Sequence, residues 1–132
     1  MIELVWDARR EGTGRGASGA ALRVGADTHF SPEDLLGLAA AGCLMKTFLT
    51  LAEEAALPLL SYLSTAELIQ GEAPLRSPHI RVRTYVTAAN EVDRQRLEAL
   101  AKRATSTSPI ACLLGDRVEV VPEVRVLAGA SE

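Results

Sequence analysis

Ser31–Leu51, with the sequence SPEDLLGLAAAGCLMKTFLTL, decides the fold, because this stretch predicts a long central helix. Ser31 is suited to cap the helix with its hydroxyl, and Pro32 presets φ at the first helical position. Asp34 adds the negative charge that favours a helix N-terminus. No side chain from Leu35 to Met45 is charged. A helix here must therefore be covered on all sides, by its own sheet and by a partner.

Cys43 lies in the middle of this apolar run and is one of only two cysteines in the chain. A buried cysteine is most often a small core side chain. Lys46 lies three residues later on the same helical face, and a nearby cation favours the reactive thiolate. Lys46 also fits the point where the helix returns to solvent, so both interpretations stay open. The apolar run is shorter than the roughly 20 residues that a membrane span needs.

The composition predicts one globular domain, residues 1–132, large enough to bury a sizeable core. Hydrophobic residues make up 48% of the chain and charged residues 23%, which is ordinary for a soluble protein. A net charge of −3 predicts no binding to nucleic acid or to an anionic membrane. The N-terminus shows no secretion signal, and two cysteines fit a reducing compartment. We expect a cytoplasmic protein.

The N-terminal region predicts a β-hairpin. Apolar residues alternate from Ile2 to Ala8, which is typical of a half-buried strand. The glycines of residues 12–19 predict a flexible turn, and Ala20–Val24 predicts the returning strand. Within the turn, GRGASG matches the dinucleotide pattern G-x-G-x-x-G. No helix can follow it directly, so a dinucleotide site is not expected.

The remaining chain predicts two more strands after the central helix, which itself is expected to end near Ala56. The first strand is expected within Leu59–Ile69. A loop, Gly71–Pro78, separates it from a strand at His79–Ala88. Four residues of that strand are expected on one face: Ile80, Val82, Thr84 and Val86.

A second helix is expected to begin at an Asn90 cap. Its predicted apolar stripe consists of Val92, Leu97, Leu100, Ala101 and Ala104, and an interruption is expected at residues 105–108. A short helix through Leu114 and a strand at Val118–Ala128 complete the order β-β-α-β-β-α-β, an α+β fold. Pro122 makes the last strand an edge strand or a bulged one.

The histidines and cysteines do not predict a metal site or a cofactor. His29, His79, Cys43 and Cys112 lack any recognisable ligand spacing. A cysteine hydrolase requires a histidine beside the thiol, and the sequence does not bring either histidine to Cys43. Two cysteines, one of them on a helix, favour thiol redox chemistry.

Two segments resemble the OsmC/Ohr superfamily. SPEDLLGLAAAGC places a Pro-Glu pair eleven and ten positions before a helical cysteine, and Ser-Pro-Ile-Ala-Cys at residues 108–112 is similar to that family's C-P-x-S segment. The resemblance implies an intertwined homodimer with the central helices buried between subunits. It also implies cysteine-dependent reduction of organic hydroperoxides in oxidative stress defence, with an external thiol or dithiol as reductant.

The resemblance assigns roles residue by residue. Cys43 matches the peroxidatic cysteine, and Glu33 matches the glutamate of the Pro-Glu pair. Arg15 is the best match for the arginine that holds the thiolate, with Arg9, Arg10 and Arg23 as alternatives. Ten residues of straight helix would separate Glu33 from Cys43 by about 15 Å, so they cannot touch within one helix. Either the arginine bridges them, or the helix starts later, or the other subunit contributes.

The second cysteine departs from the family pattern, because Ser108 occupies the family's cysteine position and Cys112 follows four residues later. Three interpretations stay open. In the first, Cys112 resolves oxidised Cys43. In the second, an external thiol reduces the Cys43 sulfenic acid. In the third, the protein is a non-catalytic dimer that binds a small apolar or thiol-reactive ligand in its interface pocket. The low aromatic content of 4% predicts aliphatic pocket walls, which suit alkyl or lipid hydroperoxides.

Overall fold

The computed structural model describes residues 1–25, 29–70 and 78–127. The chain forms two compact units, Met1–Leu36 and Gly37–Glu132. Within the described residues there are two three-stranded sheets and three α-helices, which confirms the α+β class. The single domain expected from the chain's length stays a prediction.

The N-terminal unit contains a three-stranded antiparallel sheet: β1 (Glu3–Ala8), β2 (Glu11–Arg15) and β3 (Ala21–Val24). The predicted hairpin was therefore wrong, because much of the supposed turn forms the central strand. Gly12 explains the difference: a Cβ atom there would lie 2.7 Å from the Val5 carbonyl oxygen, so glycine permits close strand approach. The turn itself is confined to the residues around Gly19, whose φ is 94°.

β1 is exposed along its whole length, so the prediction of a half-buried strand was wrong. Leu4 is 67% exposed and Trp6 is 73% exposed, although they alternate with polar residues as predicted. The neighbouring strand β2 has the sequence EGTGR, and its glycines offer no side chains to cover them.

Helix α1 (Pro32–Glu54) confirms the predicted central helix and ends two residues before the predicted boundary. Its N-terminus carries a reciprocal capping box. The Asp34 backbone N–H donates to Ser31 Oγ at 3.0 Å, and the Ser31 N–H donates to Asp34 Oδ2 at 3.1 Å.

Only one side of α1 is buried, whereas the apolar run predicted cover on all sides. The buried side contributes Ala40, Leu44 and Phe48 to the core. Leu38, Met45 and Leu49 form an exposed apolar stripe (hereafter the α1 stripe). α1 is also long and apolar enough to cross a membrane by length and composition alone, so the length argument against a membrane span was wrong. Because α1 contributes buried side chains to the core cluster, we interpret it as a core helix.

The C-terminal unit contains the second sheet, in the order β4 (Ser61–Ile69), β5 (His79–Ala88) and β6 (Val118–Val126). β4 pairs antiparallel with β5, and β6 pairs parallel with β5. The predicted inner face of β5 is confirmed, since its four residues are buried: Ile80, Val82, Thr84 and Val86. β6 is an edge strand of this sheet, as Pro122 predicted. Residues 71–77 of the predicted loop and Ala128 lie outside the described residues.

Helix α2 (Glu91–Thr107) begins at the predicted cap, where Asn90 Oδ1 accepts from the Asp93 N–H at 2.9 Å. Val92 was predicted to face inward but is 67% exposed, because it lies in the first helical turn. The rest of the predicted stripe is confirmed, since Leu97, Ala101 and Ala104 are buried and Leu100 is partly buried against the core.

α2 continues through residues 105–107, where an interruption was predicted. Thr105 and Thr107 donate their hydroxyls to carbonyl oxygens four residues back, at 2.9 Å and 2.8 Å, so these polar side chains remain compatible with the helix. The break comes at Ser108, whose ψ of 124° is extended. A following proline disfavours helical backbone at the residue before it, and Pro109 then begins α3 (Pro109–Leu114).

Tyr62 packs into the core of the second unit beside Phe48, with ring centroids 5.6 Å apart. Burial raises the pKa of Tyr62 to about 12, so the phenol stays neutral at physiological pH. Tyr62 therefore contributes packing to the core and no charge.

Candidate active site

Cys43 lies in the middle of α1, where it is half-buried. Its side chain lines an open groove of about 450 Å³ on the C-terminal unit. We call this the cysteine groove. Its lining residues are Cys43, Lys46, Thr47, Thr50, Leu51 and Glu54 from α1, with Thr107 and Pro109 from the junction of α2 and α3.

Helical periodicity explains why these α1 residues share one wall. They follow Cys43 by three, four, seven, eight and eleven positions, which are the spacings of a single helical face. At 3.6 residues per turn, the α1 stripe lies about 140° around the helix from Cys43. The cysteine groove and the α1 stripe are therefore separate surfaces.

Ser108 holds the Cys43 sulfur from the inner side of the groove. Ser108 is 0% exposed, and its Oγ donates a hydrogen bond to Cys43 Sγ at 3.3 Å. This hydroxyl makes no capping bond to α3, although Ser108 occupies the N-cap position. The backbone N–H of Ser108 bonds to the Ala104 carbonyl oxygen at 2.8 Å, which fixes the residue at the end of α2. The buried Ser108 hydroxyl therefore donates to Cys43 Sγ and not to the N-terminus of α3.

Cys112 lies on the exposed side of α3, and both cysteines are free. Its Sγ donates to the Ser106 carbonyl oxygen at 3.3 Å. The Cys112 N–H bonds to the Ser108 carbonyl oxygen at 2.9 Å, so Cys112 follows Ser108 by one helical turn, about 6 Å. The residue in contact with Cys43 is therefore Ser108, at the position where the resemblance places a cysteine.

Lys46 supplies positive charge to the cysteine groove, and among the described residues it forms no salt bridge. Three threonines supply hydroxyl groups. Thr50 Oγ1 donates to the Lys46 carbonyl oxygen at 2.8 Å, and Thr107 Oγ1 donates to the Arg103 carbonyl oxygen at 2.8 Å. Because these protons are engaged, both hydroxyl oxygens offer lone pairs to a ligand.

Glu33 lies in the first turn of α1 and lines a different space, a cleft of about 550 Å³ in the N-terminal unit. Arg10 lines the same cleft, together with the apolar side chains of Leu4, Trp6 and Val24. Trp6 gives this cleft an aromatic wall, whereas the low aromatic content of the chain predicted aliphatic walls.

The four candidate arginines occupy distinct positions in the N-terminal unit. Arg10 shares the cleft of Glu33, whereas Arg15 is exposed at the end of β2. Arg23 forms an ion pair with Glu11 at 2.9 Å, and the Arg9 carbonyl oxygen accepts a hydrogen bond from Trp6 at 2.9 Å. The arrangement favours Arg10 over Arg15 as the partner of Glu33.

Each histidine lies beside a glutamate carboxylate. His29 lies 3.5 Å from Glu11, and His79 lies 3.5 Å from Glu119. A hydrogen bond from Arg81 and the nearby charges lower the pKa of Glu119. Across residues 1–25, 29–70 and 78–127, no group of three or more histidine, cysteine, aspartate or glutamate side chains is arranged to hold a metal ion.

Several residues of the site were not among the sequence-based candidates: Thr47, Thr50, Glu54 and Thr107 line the groove, and the buried Ser108 contacts Cys43. Helical spacing from Cys43 would have identified the three that lie on α1. The contact of Ser108 required the fold, because it joins residues 65 positions apart.

Comparison with known proteins matches the OsmC-like protein family model over residues 25–123. No curated protein is similar enough in sequence to count as a relative. Among solved structures, an OsmC-like protein from Mycoplasma pneumoniae aligns with a TM-score of 0.79 and 14% identity, covering 96% of each chain.

Two further structures have the same fold. An OsmC-like protein of unknown function from Vibrio cholerae aligns with a TM-score of 0.76 and 20% identity, covering 94% of this chain and 97% of that one. The organic hydroperoxide resistance protein OhrB of Bacillus subtilis aligns with a TM-score of 0.67 and 18% identity, covering 94% and 97%. With the family model matching most of the chain, this protein belongs to the OsmC-like family.

Proposed function

We propose that this protein is a thiol-dependent peroxidase that reduces organic hydroperoxides at Cys43, as part of cytoplasmic defence against oxidative stress. The observation that carries the proposal is the Cys43 sulfur, which lines an open groove and accepts a hydrogen bond from the buried Ser108 hydroxyl at 3.3 Å. A half-buried thiol in contact with solvent-accessible space is one that a small substrate can reach. OhrB, a protein of the same fold, is named for organic hydroperoxide resistance.

In the first step, the Cys43 thiolate attacks one oxygen of the hydroperoxide and the O–O bond breaks. Sulfur loses two electrons and becomes sulfenic acid, while the other oxygen takes a proton and leaves as an alcohol. The Ser108 hydroxyl is positioned to donate its hydrogen bond to the sulfur anion before attack, and Lys46 adds a positive charge one turn away.

In the second step, an external thiol condenses with the sulfenic acid to form a mixed disulfide and water. A second thiol then releases the disulfide of the reductant and regenerates the Cys43 thiolate. We infer an external reducing thiol because the described neighbour of the Cys43 sulfur is the Ser108 hydroxyl, which cannot form a disulfide. The Cys112 thiol instead donates to the Ser106 carbonyl oxygen. This favours the one-cysteine interpretation over resolution by Cys112.

Mass spectrometry on the reduced protein tests this cycle. After one equivalent of an alkyl hydroperoxide in the presence of a sulfenic-acid trap, we expect the adduct on Cys43 and an unmodified thiol on Cys112. The variant Cys112→Ser should give the same adduct at the same rate, because Cys112 does not take part. A Cys43–Cys112 disulfide would establish the two-cysteine cycle instead.

The alternative is a non-catalytic dimer that binds a small apolar or thiol-reactive ligand. The cleft of about 550 Å³ in the N-terminal unit favours it, since Leu4, Trp6 and Val24 give it apolar walls. The same mass-spectrometric experiment separates the two functions. If neither thiol reacts faster than free cysteine, the binding function replaces the peroxidase.

We also propose the homodimer that the family resemblance implies. The support is the α1 stripe, in which Leu38 is 54% exposed, Met45 39% and Leu49 37%. Apolar side chains aligned on one helical face are normally covered by another surface. Light scattering should give twice the chain mass of 14.0 kDa, and Leu49→Asp should lower this mass. A wild-type protein that stays monomeric at high concentration would contradict the dimer.

A further inference from the structure

We propose that the cysteine groove binds the external thiol of the second step, and that this thiol carries an anionic group close to its sulfur, received by Lys46. The inference rests on the proposed function, because it names the class of the second substrate at the same sulfur. A carboxylate-bearing low-molecular-weight thiol has this chemistry.

Access to the Cys43 sulfur differs between the two sides of the residue. On the inner side, Ser108 is fully buried and contacts Cys43 Sγ. The adjacent residues Leu44 and Ala40 face the core, so that side of α1 is closed. Cys43 lines the cysteine groove, which is open and has a volume of about 450 Å³. A thiol that must come within a disulfide bond length of roughly 2 Å can enter through this groove.

The charges along the groove then select the ligand. Lys46 follows Cys43 by three residues, about 4.5 Å along the helix axis. Lys46 forms no salt bridge among the described residues, so its charge is available to a ligand. Glu54 lies eleven residues from Cys43, about 16 Å along the same wall. Positive charge therefore lies near the sulfur, and negative charge lies at the far end.

The threonines complete the site. Thr47 and Thr50 lie between the two charges, and Thr107 lines the opposite wall. Hydroxyl groups can accept from an amide or ammonium group of the ligand. A thiol with its carboxylate near the sulfur fits this order, whereas a thiol with an ammonium group next to the sulfur meets Lys46 and is repelled.

The test compares three thiols of similar size: 3-mercaptopropionate (anionic), 2-mercaptoethanol (neutral) and cysteamine (cationic). The Cys43 sulfenic acid is formed with one equivalent of alkyl hydroperoxide in the Cys112→Ser background, and each thiol is then mixed in at low ionic strength. Rates are compared per concentration of thiolate. We expect the anionic thiol to react about fivefold faster than the cationic one, the upper end for an exposed ion pair.

Charge variants identify the residue responsible. Lys46→Gln should remove the preference and Lys46→Glu should reverse it. Lys102→Gln is the matched control, because Lys102 is an exposed lysine of α2 outside the groove lining, and the preference should persist. Equal rates for all three thiols, or an unchanged preference in Lys46→Glu, would overturn the proposal.

A second measurement does not depend on hydroperoxide chemistry. The symmetrical disulfides of the same thiols form mixed disulfides with the Cys43 thiol directly, so their rates report on the groove alone. If no sulfenic acid forms but the anionic disulfide still reacts faster through Lys46, the peroxidase proposal fails and the groove proposal stands. If the disulfides show no charge preference, the groove proposal fails whatever the peroxidase result.

Discussion

Replacing Cys43 with serine is expected to abolish hydroperoxide reduction, by at least about 10³-fold in kcat/KM, because the attacking sulfur is removed. A hydroxyl at this position is a far weaker nucleophile than a thiolate and cannot form a sulfenic acid. Serine is nearly isosteric with cysteine and the site is half-buried, so the fold should be retained. The measurement is the rate of alkyl hydroperoxide consumption with excess external thiol.

Cys112→Ser is the matched control for that experiment, because it removes the other thiol from an exposed position. We expect its activity to stay close to that of the wild type. Circular dichroism of both variants checks that the helices remain. Full activity in Cys43→Ser would exclude Cys43 as the nucleophile, and equal losses in both variants would point to a cycle that uses both cysteines.

Ser108→Cys is expected to convert the proposed one-cysteine cycle into a two-cysteine cycle. The Ser108 Oγ lies 3.3 Å from Cys43 Sγ, so an introduced sulfur needs only a small movement to reach the disulfide length of about 2.05 Å. Condensation of the new thiol with the Cys43 sulfenic acid forms the disulfide and releases water. After one equivalent of hydroperoxide, we expect nearly complete conversion to this intramolecular disulfide.

The disulfide in Ser108→Cys is detected by peptide mapping in a Cys112→Ser background. Ser106→Cys is the matched control: Ser106 is an exposed serine two residues away whose hydroxyl bonds to the Arg103 carbonyl oxygen. It should give a trapped sulfenic acid on Cys43 without a disulfide. If Ser108→Cys also leaves the sulfenic acid exposed to the trap, then position 108 does not control resolution.

The sequence allowed accurate prediction of the elements governed by local rules. The Ser31 cap with Asp34 predicted the start of α1, and strict alternation predicted which face of β5 is buried. Pro122 predicted an edge strand or a bulged one because proline has no backbone N–H to donate to a neighbouring strand, and β6 is an edge strand. In each case a few neighbouring residues contain the whole signal.

The errors arose where contacts between distant residues decide the outcome. Glycine-rich residues predicted a turn, but Gly12 belongs to β2 because Val5 packs against it too closely for a side chain. Threonines near the end of α2 predicted a break, but their hydroxyls bond back to the helix. Similarly, the sequence identified Cys43 as a candidate, whereas its contact with Ser108 depends on how α1 packs against the end of α2.

Under the proposed function, the Ser108 hydroxyl has a consequence for how long this protein stays active under oxidative stress. In the proposed cycle, a cysteine at position 108 would convert the Cys43 sulfenic acid directly into a disulfide. With a hydroxyl at this position, the sulfenic acid persists until a thiol from the cell reacts with it. When that supply runs low, a second hydroperoxide can carry Cys43 to sulfinic acid, an oxidation that ordinary thiols do not reverse. In this proposed cycle a single atom, oxygen in place of sulfur at position 108, makes the working lifetime of the protein depend on the thiol reserves of its cell.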